Sequence, residues 1–208
     1  MRHVTQGGQL LLIHSHYGTP PDLFLHAQAQ GLGQIRREID LNADDFAQAS
    51  GLITTTHLDQ LGFLRWSAEV EALLDRGGRW FFNGHILRPL IEGVRIYQPI
   101  PHAKRSDLVL RRLSPHPLFA GIDMASLEEN KGVAGFYGRG HNPMPAGAVA
   151  VTGIGPQALA LDWDWARPRG GRMFSHAGND VGSMRGVNPT HAVIAPRILA
   201  WTAGGLNA

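Results

Sequence analysis

The chain has 208 residues, 19 Lys and Arg against 17 Asp and Glu for a formal net charge of +2, and no cysteine. That length suits one domain spanning 1–208 with enough surface to bury a core, and a hydrophobic share of 43% with 17% charged residues excludes a disordered chain. The missing cysteine excludes disulfides, thiolate metal sites and a cysteine nucleophile. The arginines are scattered and only Lys104 and Lys131 are lysines, so no basic stripe for nucleic acid forms. No run approaches the ~20 apolar residues of a membrane helix, and no signal-length apolar stretch follows Met1–Gly8. A cytoplasmic protein with neither nucleic-acid nor membrane partners is expected.

Gln9–Ile13 reads as the first strand, and His14–Pro21 as the polar loop at its end. Asp22 is placed to cap a helix through Gln30, which Gly31 and Gly33 end. Gln34–Asp40 is a second strand, Asp44–Gln48 a turn or short helix, and Gly51–Thr55 a third strand rich in β-branched residues. After the polar loop His57–Gly62, the spacing of Phe63, Trp66, Val70, Leu73 and Leu74 predicts a helix over 63–75. Gly77-Gly78 closes it, Arg79–Phe82 is a buried strand, and the chain turns sharply at Asn83-Gly84-His85. Helix, short glycine loop, strand and tight polar turn mark a parallel α/β unit.

Beyond Pro89 the pattern loosens. Val94–Ile100, Leu108–Leu113, Val133–Tyr137, Ala148–Thr152 and Ala158–Trp163 are short strand candidates that make the second half β-rich. Asp162-Trp-Asp-Trp165 reads as a strand end with two anchoring tryptophans, and Phe136–Pro143 as either a lid over the rim or a plain surface loop. Arg172–Ser175 is a late strand followed by His176-Ala-Gly-Asn-Asp180. Asn188 and Pro189 suit the start of a closing helix that buries Val193, Ile198, Leu199 and Trp201, with Pro196 predicting a kink or a late start.

In a doubly wound sheet the loops at the carboxyl ends of the strands converge on one rim. That rule gathers His14, His16 and Tyr17, then His57 and Asp59, then Asn83, Gly84 and His85, then His176, Asn179 and Asp180: five of the chain's 11 histidines. Three readings stay open from the residues alone. Imidazoles suit proton transfer near pH 7; His14-x-His16, completed by His57, His85, His176 or Asp180, has metal-ligand character; and loop histidines with capping Asn and Asp are also ordinary surface. Acid/base work is the preferred reading, with His85, His176 and Asp180 as catalytic candidates and no metal or other cofactor assigned. His14, His16, Tyr17, His57, Asp59, Asn83, Gly84 and Asn179 are substrate-binding candidates, joined by Glu129 if its segment folds back over the rim.

The motif order resembles a known family. His57-Leu-Asp59, Leu74-Asp-Arg-Gly-Gly78 with Phe81-Phe-Asn-Gly-His85, His116-Pro-Leu-Phe-Ala-Gly121 with Glu128-Glu129, Gly171-Arg-Met-Phe174 with Gly178-Asn-Asp180, and Ile198-Leu-Ala-Trp201 are similar, across roughly 8–204, to the ThuA-like (trehalose-utilisation-type) branch of the class I glutamine amidotransferase-like superfamily. The resemblance implies a flavodoxin-like, doubly wound parallel sheet with helices on both faces. It also implies a nucleophile elbow after the central strand, which carries cysteine in catalytic members. Here the elbow reads Asn83-Gly84-His85, so glutaminase chemistry through a thioester is excluded. The branch's Gly-His-Asp motif is replaced by Gly178-Asn179-Asp180, with His176 two residues earlier. The expectation is an enzyme or enzyme-like domain acting on a small polar, carbohydrate-derived ligand by a hydrolase-, lyase- or isomerase-type reaction. The alternative is a non-catalytic ligand-binding or oligomerisation module, a homo-oligomer being left open.

Overall fold

The computed structural model describes residues 9–130, 133–182 and 189–206. In chain order the elements are β1 (Gln9–His14), α1 (Asp22–Ala29), β2 (Gly33–Arg37), α2 (Ala43–Gln48), β3 (Ala49–Thr54), α3 (Gln60–Phe63), α4 (Ser67–Asp75), β4 (Arg79–Asn83), β5 (Gln98–Pro99), β6 (Leu110–Arg112), α5 (Ala125–Glu128), β7 (Glu129–Asn130), β8 (Val133–Ala134), β9 (Gly140–His141), β10 (Val149–Ile154), β11 (Leu159–Ala166), β12 (Arg172–His176) and α6 (Pro189–Thr202). One eight-stranded sheet runs in the order β2-β1-β3-β4-β12-β11-β10-β6. The first five strands are parallel and the last three extend the sheet antiparallel from β12. This is the flavodoxin-like, doubly wound arrangement with a β-rich second half.

Why these strands are central follows from their composition. Side chains alternate across a strand, and midway along β1, β3, β4 and β12 apolar side chains point to both faces, as a sheet covered on both sides requires. Leu10, Leu12, Ile53, Phe81 and Phe174 face α1 and α6, where Leu23, Phe24, Ile194, Ile198 and Trp201 meet them. Leu11, Ile13, Leu52, Trp80, Phe82 and Met173 face α2 and α4, against Phe46, Val70, Leu73 and Leu74. Phe81 and Phe174, paired in register between β4 and β12, stack with ring centroids 5.2 Å apart and planes within 4°.

Helix ends set where the strands begin. After α4, Gly77 adopts φ +95° and donates to Leu74 O, while Gly78 donates to Leu73 O. These are the two bonds of a Schellman motif, which reverses the chain into β4. At α2, Asn42 Oδ1 accepts from the amides of Asp44 and Asp45, and the Asp45 carboxylate accepts from Asn42 N: a capping box.

Several expected boundaries shift for local reasons. Asp22 is the first residue of α1 and does not cap it; Pro21 holds the cap position without a side-chain bond. The second strand stops at Arg37, and Glu38–Asp40 forms a 3-10 turn. The helix expected over 63–75 starts earlier, because the Asp59 side chain accepts from Leu61 N and Gly62 N, and a 3-10 turn at Leu64–Trp66 divides it. Of Val94–Ile100 only Gln98–Pro99 is strand, pairing with β9, and of Val133–Tyr137 only β8, pairing with β7. Helix α6 runs continuously through Pro196 from Pro189, without the late start, and Val193 is on its exposed side instead of the core. Asn188, expected to cap it, lies outside the described residues. Among the described residues no helix is long and apolar enough to cross a membrane.

Two stability predictions follow from this packing. Truncating Phe81 to Ala removes a fully buried ring from the centre of the sheet, so chemical denaturation should show a loss of about 3–5 kcal/mol; a loss below ~1 kcal/mol would mean the ring is not packed as described. His191 of α6 is buried with Nδ1 unpaired among the described residues. Burial, aided by the charge of His176, lowers its pKa to about 4. The unfolded chain therefore takes up a proton between about pH 6.5 and 4 that the folded chain refuses, so stability should fall as pH drops through that window, by on the order of 3 kcal/mol. Urea midpoints from pH 7 to pH 4 should show this slope in the wild type and a flatter one in His191→Leu.

Candidate active site

β1, β3, β4 and β12 end on the same edge of the sheet, and their following loops build the rim. The turn after β4 is sharp: Gly84 takes φ +121°, and a Cβ there would come 2.9 Å from the Cα of Thr56. Only glycine fits both the angle and the space. Gly84 N donates to His176 O at 2.8 Å, and the carboxamide of Asn142 donates to Gly84 O (3.0 Å) and Ser175 Oγ (2.8 Å) while accepting from Ile86 N (3.0 Å). Phe136–Pro143 thus folds onto the rim and is bonded to the elbow through a wholly buried Asn142.

His176 sits beside Asn83 in the β12–β4 register and beside Asp162 in the β12–β11 register. Its ring is fully buried. Nδ1 lies 2.6 Å from Asp162 Oδ1, and Nε2 donates to the backbone oxygen of Asn179 at 2.7 Å. A carbonyl only accepts, so Nε2 carries a proton, and the close Nδ1–carboxylate contact requires a further proton between the pair. Asp162 Oδ2 also accepts from Tyr137 OH (2.9 Å) and from Thr152 Oγ1. Two strand positions along, Asp164 accepts from Arg172 and contacts His116 Nε2 at 3.1 Å. Asp162 and Asp164 are the polar groups that sequence reasoning missed. The signal was acids alternating with tryptophans in an otherwise apolar strand, which puts both carboxylates on one face and Trp163 and Trp165 on the other.

The rim is open as two adjoining clefts. The larger, about 610 Å³, is lined by His16, His57, Thr56, Asp180, Asn179, Phe136 and the Thr19–Asp22 segment that enters α1. The smaller, about 290 Å³, is lined by His85, Arg139, Phe136, Asn179 and the backbone of Gly135, Gly138 and Gly178. Phe136 and Asn179 are common to both, so they form the partition.

The expected residues divide accordingly. His16 and His57 approach with ring centroids 5.1 Å apart. Asp180 Oδ1 accepts from Asn83 Nδ2 at 2.5 Å and from Gly182 N, while the Asn83 carboxamide oxygen is buried without a partner among the described residues. Asn179 Nδ2 donates to Phe136 O. His85 lies flat on Tyr97, ring centroids 3.7 Å apart. Other candidates line neither cleft. His14 is buried behind His16, its Nδ1 accepting from His16 N. Tyr17 projects into solvent under the Arg37 guanidinium. Asp59 caps α3. Of Glu129 only the backbone is described, in β7. The expectation that His176 shares a cavity with His85 is corrected: its ring is enclosed by Asp162, Tyr137 and Asn179.

Burial, with the charges of His16 and Arg37, holds the His14 imidazole below its ordinary range. His16 is lowered by burial and by His57, against an opposing pull from Asp180. His85 is lowered by burial and by His176. Neutral imidazoles at pH 7 therefore line the rim at His16 and His85. Among the described residues, no group of three or more His, Asp or Glu side chains is arranged to hold a metal ion.

No known protein-family model matches the chain, and no curated protein does. Solved structures do. A cytoplasmic protein from Salmonella typhimurium superposes with a TM-score of 0.59 at 12% identity, over 93% of this chain and 98% of that one. A glutamine amidotransferase from Methylobacillus flagellatus gives 0.51 at 14% identity, over 97% and 96%. A protein described as ThuA-like from Bacteroides uniformis gives 0.48 at 9% identity, over 96% and 94%, too low a score to carry an argument. The likeness defines a class by fold: the chain has the α/β fold of glutamine amidotransferase-like proteins. In this chain the turn after β4 reads Asn83-Gly84-His85, and the sequence has no cysteine.

His85, after β4, and His176, at the end of β12, should behave differently when truncated. His85→Ala loses one ring stack on Tyr97 and should cost about 1 kcal/mol. His176→Ala strands a buried carboxylate and should cost about 3–5 kcal/mol. Equal losses in denaturant melts would contradict the placement of one of them.

Proposed function

We propose that the chain belongs to the ThuA-like branch of the glutamine amidotransferase-like superfamily and takes a small polyhydroxy, carbohydrate-derived ligand into the larger rim cleft for proton-transfer chemistry. The observation that carries the reading is the meeting of His16, His57 and Asp180 in one open cleft at the carboxyl edge of a parallel sheet. Ligands of open α/β sheets bind at that edge. The lining suits a sugar: carboxylate, carboxamide, hydroxyl and imidazole groups for the hydroxyls, with the Phe136 ring as an apolar face.

Within that cleft the roles follow from electrostatics. His16, kept neutral by burial and by His57, is the group suited to accept a proton from a ligand hydroxyl or from the carbon beside a carbonyl. Asp180, fixed by Asn83, faces the cation this creates and orients the ligand. His57, exposed beside His16 in the same cleft, is suited to return the proton. Without an elbow nucleophile the chemistry would be non-covalent acid/base work of the isomerase or lyase type.

Thermal shift and calorimetry against monosaccharides, disaccharides and polyols test the binding. A ligand should raise stability by RT ln(1 + [L]/Kd), and His57→Ala should weaken it by about tenfold without lowering the apo melting temperature. Proton exchange in deuterated water tests the chemistry: a bound ketose or aldose should lose its carbon-bound proton signal with the wild type and not with His16→Ala. Binding without exchange by any ligand would leave a non-catalytic ligand-binding module. No binding at all would refute the reading.

A further inference from the structure

The two clefts differ in charge. Among the described residues, the larger has Asp22 and Asp180 in its lining, whereas the smaller has Arg139 and no carboxylate. Arg139 is held in place by the backbone: Nε donates to Gly135 O at 3.4 Å and Nη2 to Ala134 O at 3.1 Å. Its Nη1 has no partner among the described residues. Across the cleft, His85 is fixed by its face-to-face stack on Tyr97, and neither of its ring nitrogens has a protein partner among the described residues. The floor is glycine backbone by necessity: a Cβ on Gly178 would sit 1.6 Å from Tyr137 O, and one on Gly138 would sit 2.4 Å from Leu161 Cδ1. Small residues there keep the floor low enough for a group to enter.

We propose that this smaller cleft is an anion subsite, in which Arg139 and His85 hold a carboxylate or phosphate carried by the ligand whose polyol portion occupies the larger cleft. The inference rests on the reading of the rim as a sugar site and names the class within it: acidic sugars, uronates or sugar phosphates, in preference to neutral ones. Arg139 supplies the charge and a pre-positioned N–H for an anionic oxygen. His85, lowered by burial, adds a neutral N–H without a second charge to desolvate. The shared wall of Phe136 and Asn179 lets one molecule span both compartments. The acidic groups of the larger cleft would repel the anion, so the ligand's orientation is fixed by charge.

Calorimetric titration of the full chain at low ionic strength tests this with D-glucose, D-galactose, their uronates, their 6-phosphates and inorganic phosphate. In the wild type one or more acidic sugars should bind at least about tenfold more tightly than the neutral parent. Arg139→Gln should abolish that difference and leave any neutral-sugar binding unchanged, Arg139 being exposed and outside the larger cleft. The uronate and 6-phosphate arms separate carboxylate from phosphate recognition. Equal affinity for acidic and neutral sugars in the wild type, or a difference that survives in Arg139→Gln, would overturn the proposal while leaving the sugar reading intact. If no sugar binds, that reading fails and inorganic phosphate decides the subsite alone: saturable binding lost in Arg139→Gln supports it, and absent or unaltered binding refutes it.

Discussion

A carboxylate and an imidazole buried together in the middle of a sheet dictate much of this molecule. Asp162 and His176 are both wholly inaccessible, and neither can lose its partner without leaving an uncompensated polar group in a low-dielectric interior. They meet because β11 and β12 place them opposite each other, at the place where the parallel half of the sheet gives way to the antiparallel half. Thr152 and Tyr137 close the remaining valences from β10 and from the segment folded over the rim. One network therefore joins the strand order of the second half to the covering of the first.

The same imidazole governs the rim. Its Nε2 binds the carbonyl of Asn179, which anchors the loop carrying both Asn179 and Asp180. Asp180 in turn is tied to Asn83 at the tip of β4. The partition between the clefts, and the acid of the larger one, are held by a histidine that does not itself face either cavity. A rigid second layer of this kind is what a binding site needs to keep its polar groups in place before a ligand arrives.

Much of the fold was legible in the sequence because its signals are local. Apolar runs bounded by glycine marked β1, β3 and β4, the Gly77-Gly78 pair marked the Schellman turn, and the elbow glycine marked a backbone that a side chain could not follow. The breaks around Asp59 and Leu64–Trp66 were less visible, since helical spacing continues through them while a side-chain cap resets the start. The short strands after Pro89 were poorly bounded because they pair with distant partners, and pairing leaves little trace in a short window. The rim rule placed His16, His57, His85, Asn83 and Asp180 at the carboxyl edge of the sheet, where the structure also has them. It does not distinguish a side chain that faces a cleft from one that turns inward. His176 turned inward because Asp162, fourteen residues earlier in the chain, offered it a partner, and Asp59 was taken up by a helix end.

The central claim is that the larger rim cleft around His16, His57 and Asp180 is where a small polyhydroxy molecule binds. The most direct measurement is a map of backbone amide and histidine side-chain NMR shifts during titration with the best-binding sugar. The account predicts saturable shifts concentrated at His16, Thr56, His57, Phe136, Asn179 and Asp180, with Tyr17, Asp59 and the opposite edge of the sheet unmoved. Shifts centred elsewhere, with those residues silent at saturation, would contradict it.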